Sequence, residues 1–280
     1  MSRILITGGS SYLGQHLVPL AAASHIVHHT YHQNQPNLPA AGSQLDIRDE
    51  TAVSTLITTF QPDIIIHLAG SNRGSDMASV IRLGASSVVW AAREVGARLI
   101  HLSTDSIFAG DAAPYAETAV PTPVNAYGRA KADAEAIVQQ HANSVIVRTS
   151  LIYGLAQMDH GTRWMAEALA QGQPVTLFNN QIRNPVWVNS LVHALLELAH
   201  HRYTGILNVA GRQVLSRADF ALKLLDYWQV QPRDTLTIAP SDGSWPLNCE
   251  LDLQRATAVL QTPLPGVDEV LAMNVRIHSA

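Results

Sequence analysis

Tyr127 and Lys131 stand in the run Asn125-Ala126-Tyr127-Gly128-Arg129-Ala130-Lys131, four positions apart. On a helix that spacing sets a phenol and an ammonium on one face. A phenol with a pKa of about 10 is a poor acid–base catalyst at neutral pH, but a fixed cation beside it favours the phenolate and brings the pKa down. Upstream, an apolar run ends in Leu102-Ser103-Thr104-Asp105, where the Thr104 hydroxyl can bond a substrate oxygen. Thr104, Tyr127 and Lys131 could therefore deliver a proton to a carbonyl oxygen while a bound nicotinamide, its ribose held by Lys131, delivers hydride to the carbon. An exposed Tyr-x-x-x-Lys pair is common, so the reading depends on what surrounds it.

The start of the chain supplies that context. Ile4-Leu5-Ile6 stops at Thr7-Gly8-Gly9-Ser10-Ser11-Tyr12-Leu13-Gly14, and an amphipathic run from Gln15 to Ala23 follows. A strand entering a helix through small residues leaves N–H groups at the positive end of the helix dipole, which suits a pyrophosphate. Gly8 makes the tight turn and Gly14 lets the helix approach the strand. Ser11 replaces the middle glycine of the usual fingerprint, and its Cβ is expected to crowd the phosphate. Further strands are expected at His25 to Thr30, Ile64 to Leu68, Leu99 to Leu102 and Val145 to Val147, with helices between. That alternation predicts an α/β protein with a parallel sheet and right-handed crossovers. After Tyr153-Gly154 the rhythm gives way to longer helices and Pro-rich loops. Residues 1–155 thus read as a doubly wound nucleotide-binding domain and 156–280 as a smaller substrate lobe, with about 186–210 returning in part to the main sheet.

A carboxylate at the end of the second strand would bond the ribose 2′-OH of NAD. The chain instead reads His28-His29-Thr30-Tyr31-His32, and its first acid is Asp46. A 2′-phosphate would meet no repulsion, so NADP is favoured over NAD, although no Arg stands at the usual place. The histidines also invite a metal reading, but strand alternation separates His28 from His29 and no carboxylate is near in sequence, so no metal is expected. Asp46-Ile47 could hold the adenine edge or begin a helix. Leu68-Ala69-Gly70 ends a buried strand in small residues that let a cofactor approach, while His67 is read as structural.

Composition narrows the partners. The 280 residues are 47% hydrophobic with a net charge of −4, and no Lys/Arg cluster occurs, so neither nucleic acid nor an anionic membrane is indicated. Cys249 is the single cysteine, which excludes an internal disulfide and fits a reducing compartment. No secretory leader or bilayer-length apolar run is read, so the expected setting is the cytoplasm and the expected partner a small molecule.

The order Thr7-Gly8…Gly14, Asp46-Ile47, His67-Leu68-Ala69-Gly70, Ser103-Thr104, Tyr127…Lys131 resembles the extended short-chain dehydrogenase/reductases. Ser103 to Gly110, Pro114-Tyr115-Ala116-Glu117, Pro121 to Gly128 and Arg148 to Gly154 resemble most closely the dTDP-4-dehydrorhamnose reductase group. The likeness is good to about residue 210. It implies a Rossmann fold, an NAD(P)-linked reduction of a nucleotide-linked 4-keto sugar, and catalytic roles for Thr104, Tyr127 and Lys131. Expected cofactor contacts are Gly8, Ser10, Ser11, Tyr12, Leu13, Gly14, Asp46, Ile47, Leu68, Ala69, Gly70 and Lys131. Expected substrate contacts are Ser103, Asp105, Ser106, Leu151 and Arg183, and any assembly is expected to be a homodimer.

Besides Ser11, two departures from that group bear on the substrate. Ser106 stands where the reductases usually carry Tyr and Leu151 where they carry Trp, so stacking surface is lost and the group's own sugar is expected to be poorly used. Asn180-Gln181-Ile182-Arg183 resembles the segment that contacts a nucleotide diphosphate, and Arg183 can serve as that fork or be a solvated loop residue. Two alternatives stay open: an epimerase on the same fold, and a regulatory subunit that binds NAD(P) without turnover. A dehydratase is disfavoured because Asp105 is followed by Ser106 rather than by a second acid.

Overall fold

The computed structural model describes residues 1–70 and 73–274. The chain runs β1 (Arg3–Thr7), α1 (Tyr12–Ala22), β2 (Ile26–Tyr31), β3 (Ala41–Gln44), α2 (Glu50–Phe60), β4 (Ile64–His67), α3 (Met77–Val95), β5 (Arg98–Thr104), α4 (Ala126–Val138) and β6 (Ser144–Thr149). It continues through β7 (Ile152–Tyr153), α5 (His160–Ala170), β8 (Val175–Phe178), β9 (Ile182–Arg183), β10 (Val186–Trp187) and α6 (Val188–His200). Then come β11 (Gly205–Asn208), β12 (Leu215–Ser216), α7 (Arg217–Tyr227), β13 (Leu236–Ala239), α8 (Gln254–Val259) and α9 (Val267–Asn274).

Seven parallel strands form the main sheet in the order β11-β6-β5-β4-β1-β2-β3. The fold is the doubly wound Rossmann type expected from the alternating pattern, with a smaller C-terminal lobe. Period-two alternation divides the core between two faces. Ile4, Ile6, Ile64, Ile66, Val145 and Val147 pack against α1 and α6, whereas Leu5, Ile65, Leu99 and Ile146 pack against α2, α3 and α4. Each such side chain, fully buried, contributes about 1.5–3 kcal/mol. Strand order reverses between β1 and β4, which opens a crevice above their carboxyl ends. In the second half, β8 pairs with β13 and β9 with β12, and α5 and α7 share with β8 an apolar cluster that includes Leu169, Val175, Ala221 and Leu225.

Several element ends differ from the sequence reading. The helix expected from Gln15 begins at Tyr12, and the strand expected at Leu99 to Leu102 runs from Arg98 to Thr104. Hydrogen bonding to β6 carries β5 through Thr104, opposite Thr149, beyond its apolar stretch.

One buried network fixes α4 to the sheet. Glu135 lies one turn past Lys131 and pairs with Arg148 of β6 at 2.8 Å, with side chains 2% and 1% exposed. Ser103 Oγ of β5 donates to Glu135 Oε1 at 2.5 Å. Arg148 also donates to the carbonyl of Glu117 at 3.2 Å and lies over the Phe108 ring, which stacks on Tyr115. Removing one member of a buried pair strands the other charge, at about 3–5 kcal/mol. Arg148→Met is therefore expected to lower urea stability by that amount, and Arg148→Met/Glu135→Leu to recover a large part of the loss. A double variant no more stable than Arg148→Met would show that the two charges do not compensate each other.

Candidate active site

The glycine loop shapes the crevice. Gly8 has φ +78°, and a Cβ there would lie 2.9 Å from the Ala69 nitrogen; one on Gly14 would lie 2.4 Å from the Gly8 carbonyl oxygen. Both positions exclude a side chain. Ser11 caps α1, its Oγ accepting from the Gly14 N–H at 3.0 Å. Its side chain thus serves the helix end, where the sequence predicted crowding. The first-turn N–H groups of Tyr12 and Leu13 have no intrahelical acceptor by helix geometry.

A cavity of about 550 Å³ opens above the reversal point. Of the expected cofactor contacts, Gly8, Ser10, Ser11, Asp46, Ile47, Leu68, Ala69 and Gly70 line it. Tyr12, Leu13 and Gly14 do not. The Leu13 side chain is in the core, which leaves only its main-chain N–H facing the loop, and the Tyr12 hydroxyl donates to the Gln157 carbonyl at 2.9 Å. The size of the cavity, the side-chain-free turn and the free helix N-terminus suit a dinucleotide.

At the outer end of the cavity, Tyr31 at the end of β2 and His32 just after it meet Asp46. His32 Nε2 is 3.9 Å from Asp46 Oδ2, so an acid does reach the end of β2, brought there by the turn after β3. Arg48 forks onto that carboxylate at 2.6–3.0 Å and also bonds Asp76 at 2.8 Å. Hydrogen bonds from Arg48 hold the Asp46 carboxyl down at about 2. The histidines disperse: His28 bonds Ser43 at 2.9 Å, while His29 is buried with an unpartnered Nδ1. Among the described residues no group of three or more His, Cys, Asp or Glu could hold a metal ion. His67 bonds the Thr7 hydroxyl at 2.6 Å, and burial pushes its imidazole down to about 3, so it stays neutral.

Thr104, at the end of β5, and Tyr127, in the first turn of α4, come together. Burial pushes the Tyr127 phenol up to about 12; a hydrogen bond with Thr104 works the other way and the Asp105 charge adds to the rise. This corrects the expectation that Lys131 brings the phenol toward neutrality. Lys131 is itself buried and donates to the Leu102 carbonyl at 2.6 Å, beneath the strand end. Burial lowers its ammonium to about 8, against the pull of Glu135.

The expected substrate contacts divide. Ser106 is half-buried beside Thr104, and its Oγ donates to Asp105 Oδ1 at 3.2 Å. Asp105 is buried and accepts from Ser150 Oγ at 2.6 Å. Ser103 is turned into the Glu135 network, which corrects its assignment to the substrate. Leu151 packs beside the Tyr153, Phe220 and Val267 cluster. Arg183 is the largest correction: 3% exposed, it donates to the carbonyls of Ile182, Leu247 and Pro246 at 2.6–2.9 Å and lies 3.4 Å from Asp105. Its fork is committed inside the protein. The sequence reading passed over Arg217, the exposed first residue of α7, which lies close enough to Arg183 and Asp105 for both charges to act on it. The available signal was Ser216, a good helix cap, followed by a cation where helix starts favour acids.

Fold and site together define an NAD(P)-dependent oxidoreductase of the extended short-chain dehydrogenase/reductase class. More closely, residues 1–276 match the RmlD substrate binding domain, and the chain belongs to that family. It is 31% identical over 245 residues to a dTDP-4-keto-6-deoxy-D-glucose reductase of Streptomyces niveus, covering 82% of each chain. It is 27% identical over 274 residues to methionine adenosyltransferase 2 subunit beta of Rattus norvegicus, covering 90% of this chain and 81% of that one. Among solved structures, a dTDP-4-dehydrorhamnose reductase from Bacillus anthracis str. Ames, in complex with NADP, superposes with a TM-score of 0.78 at 25% identity, covering 97% of this chain and 96% of that one.

Lys131 leads to a stability prediction. Unfolded, it keeps its proton to about pH 10; folded, it loses it near 8. Between those values the unfolded chain binds more protons, so folded stability should rise with pH. The difference in urea stability between wild type and Lys131→Met should grow across this window. A flat difference would show that Lys131 does not titrate near 8.

Proposed function

We propose that this protein is an NADPH-dependent reductase of a 4-keto sugar nucleotide, with Tyr127 as the proton donor. The supporting observation is the hydrogen bond between Thr104 and Tyr127 at the carboxyl edge of the sheet, with Lys131 one helical turn on and anchored on the Leu102 carbonyl, beside a cleft suited to a dinucleotide. When bound, the nicotinamide supplies hydride to the carbonyl carbon. With its phenol raised to about 12, Tyr127 carries its proton at neutral pH and gives it to the developing alkoxide. The Thr104 hydroxyl orients the carbonyl oxygen and bonds the phenolate left behind. Lys131, still largely cationic at pH 7, offsets the phenolate charge, and solvent returns the proton. Gly8, Ser10 and Ser11, with the N–H groups of Tyr12 and Leu13, would hold the pyrophosphate; Leu68, Ala69 and Gly70 would lie against the cofactor.

NADPH rather than NADH is proposed because Arg48 pairs with Asp46 near the end of β2, and His32 lies beside that carboxylate. Titration of nicotinamide fluorescence should show tighter binding of NADPH. Tighter binding of NADH by tenfold, about 1.4 kcal/mol, would overturn that preference.

Tyr127→Phe should cut turnover of any accepted keto sugar nucleotide by about a hundredfold or more while leaving NADPH affinity within a few-fold. Unchanged turnover would remove Tyr127 from the mechanism. The likeness to a methionine adenosyltransferase subunit gives a second reading, an NAD(P)-binding subunit without turnover. Cofactor binding together with no reduction of dTDP-, UDP- or GDP-linked 4-keto sugars would favour it.

A further inference from the structure

β9 and β12 form a short antiparallel ladder that pairs Leu215 with Arg183 and Ser216 with Ile182. Continuing the register sets Arg217 opposite Gln181, and the Arg217 N–H donates to the Gln181 carbonyl at 2.8 Å. Directly opposite residues share a face, as do residues two apart on one strand. Gln181, Arg183 and Arg217 therefore lie on one face of the ladder, the face from which Arg183 reaches Asp105.

The three side chains are differently engaged. Arg183 offsets Asp105 and spends its donors on main-chain carbonyls. Gln181 is 1% exposed, yet neither atom of its amide has a hydrogen-bond partner among the described residues. A buried amide left so is destabilising, and groups of this kind call for an explanation such as a bound ligand. Arg217 is exposed, and its guanidinium makes neither an ion pair nor a hydrogen bond among the described residues. With Asp105 and Arg183 cancelling, Arg217 leaves this face one positive charge in surplus. It also opens an eleven-residue helix whose dipole adds to that charge. The nearby Asp219 carboxylate accepts from Ser216 Oγ at 2.6 Å, within the cap of the same helix.

We propose that Arg217 and Gln181 form an anion subsite that holds the diphosphate of the nucleotide-linked substrate, the part expected of Arg183. The inference rests on the reductase reading for the identity of the ligand. Guanidinium suits the role because its planar fork meets two phosphate oxygens at once, and the buried Gln181 amide adds an uncommitted donor on the same face of the ladder. Arg183 then acts one step back, keeping Asp105 neutralised and the subsite wall in place.

The test is calorimetric titration of dTDP, UDP and inorganic pyrophosphate into protein saturated with reduced cofactor, which fills the pyrophosphate site at the glycine loop. Arg217→Ala should weaken binding of the preferred nucleoside diphosphate by at least tenfold, Arg217→Lys should weaken it less, and cofactor affinity and melting temperature should stay unchanged. Gln181→Glu should also weaken it, by setting a carboxylate against the phosphate. Binding by Arg217→Ala within twofold of wild type would overturn the subsite, as would a wild type that binds none of the three probes. Turnover separates the two readings. Reduction of a keto sugar nucleotide with unchanged KM in Arg217→Ala removes the subsite and leaves the reductase. Arg217-dependent binding with no reduction of any keto sugar leaves the subsite and removes the reductase.

Discussion

A carboxylate and a guanidinium withdrawn from water set the geometry of this protein. Either charge, Glu135 or Arg148, would be costly to bury alone, and each compensates the other in a pair to which Ser103 adds a short hydrogen bond. The pair ties a helix to two strands, and Tyr127 and Lys131 sit on that helix within the preceding turns. Their height above the sheet, and their distance from the Thr104 strand end, follow from it. Lys131 is held in the same way, its ammonium anchored on the Leu102 carbonyl.

Charge compensation continues outward from this centre. Arg183 lies against Asp105, the chain neighbour of Thr104, and Arg48 against Asp46 at the far end of the cleft. In both places an acid that would repel a phosphate is paired with an arginine of the same chain, an arginine that Asp76 shares at the far end. The pairing lowers the repulsion that an anion would meet in the cleft of a protein whose net charge is −4.

The fold was legible because the local signals agreed. Ile4-Leu5-Ile6 and Asp63-Ile64-Ile65-Ile66 can hardly be other than buried strands, and a turn with Gly8 and Gly14 has few geometries. Tyr127 and Lys131 were legible for a similar reason, since helical spacing settles which residues share a face. What depended on distant chain was not legible. Arg183 looked like a free fork because its acceptors, the carbonyls of Pro246 and Leu247, lie more than sixty positions away in a segment with no motif. Ser103 looked like a substrate contact because the Glu135 opposite it is specified by the packing of α4. The phenol of Tyr127 was expected near neutrality because its sequence neighbour is a lysine, yet the depth of the site proved the larger influence on it.

The segment from Pro246 to Cys249 is secured by main-chain groups. Arg183 grips two of its carbonyls, the Leu247 and Asn248 N–H groups donate to Ala109 and Gly110, and the Cys249 N–H donates to Ile182. The hold itself uses main-chain groups, and although Cys249 packs in the core, Trp245 and Leu247 are partly open to solvent. The exposed positions of this stretch can therefore change without unseating it. A lineage could change the wall beside the site one residue at a time, with the arginine as the fixed point around which new specificities are tried.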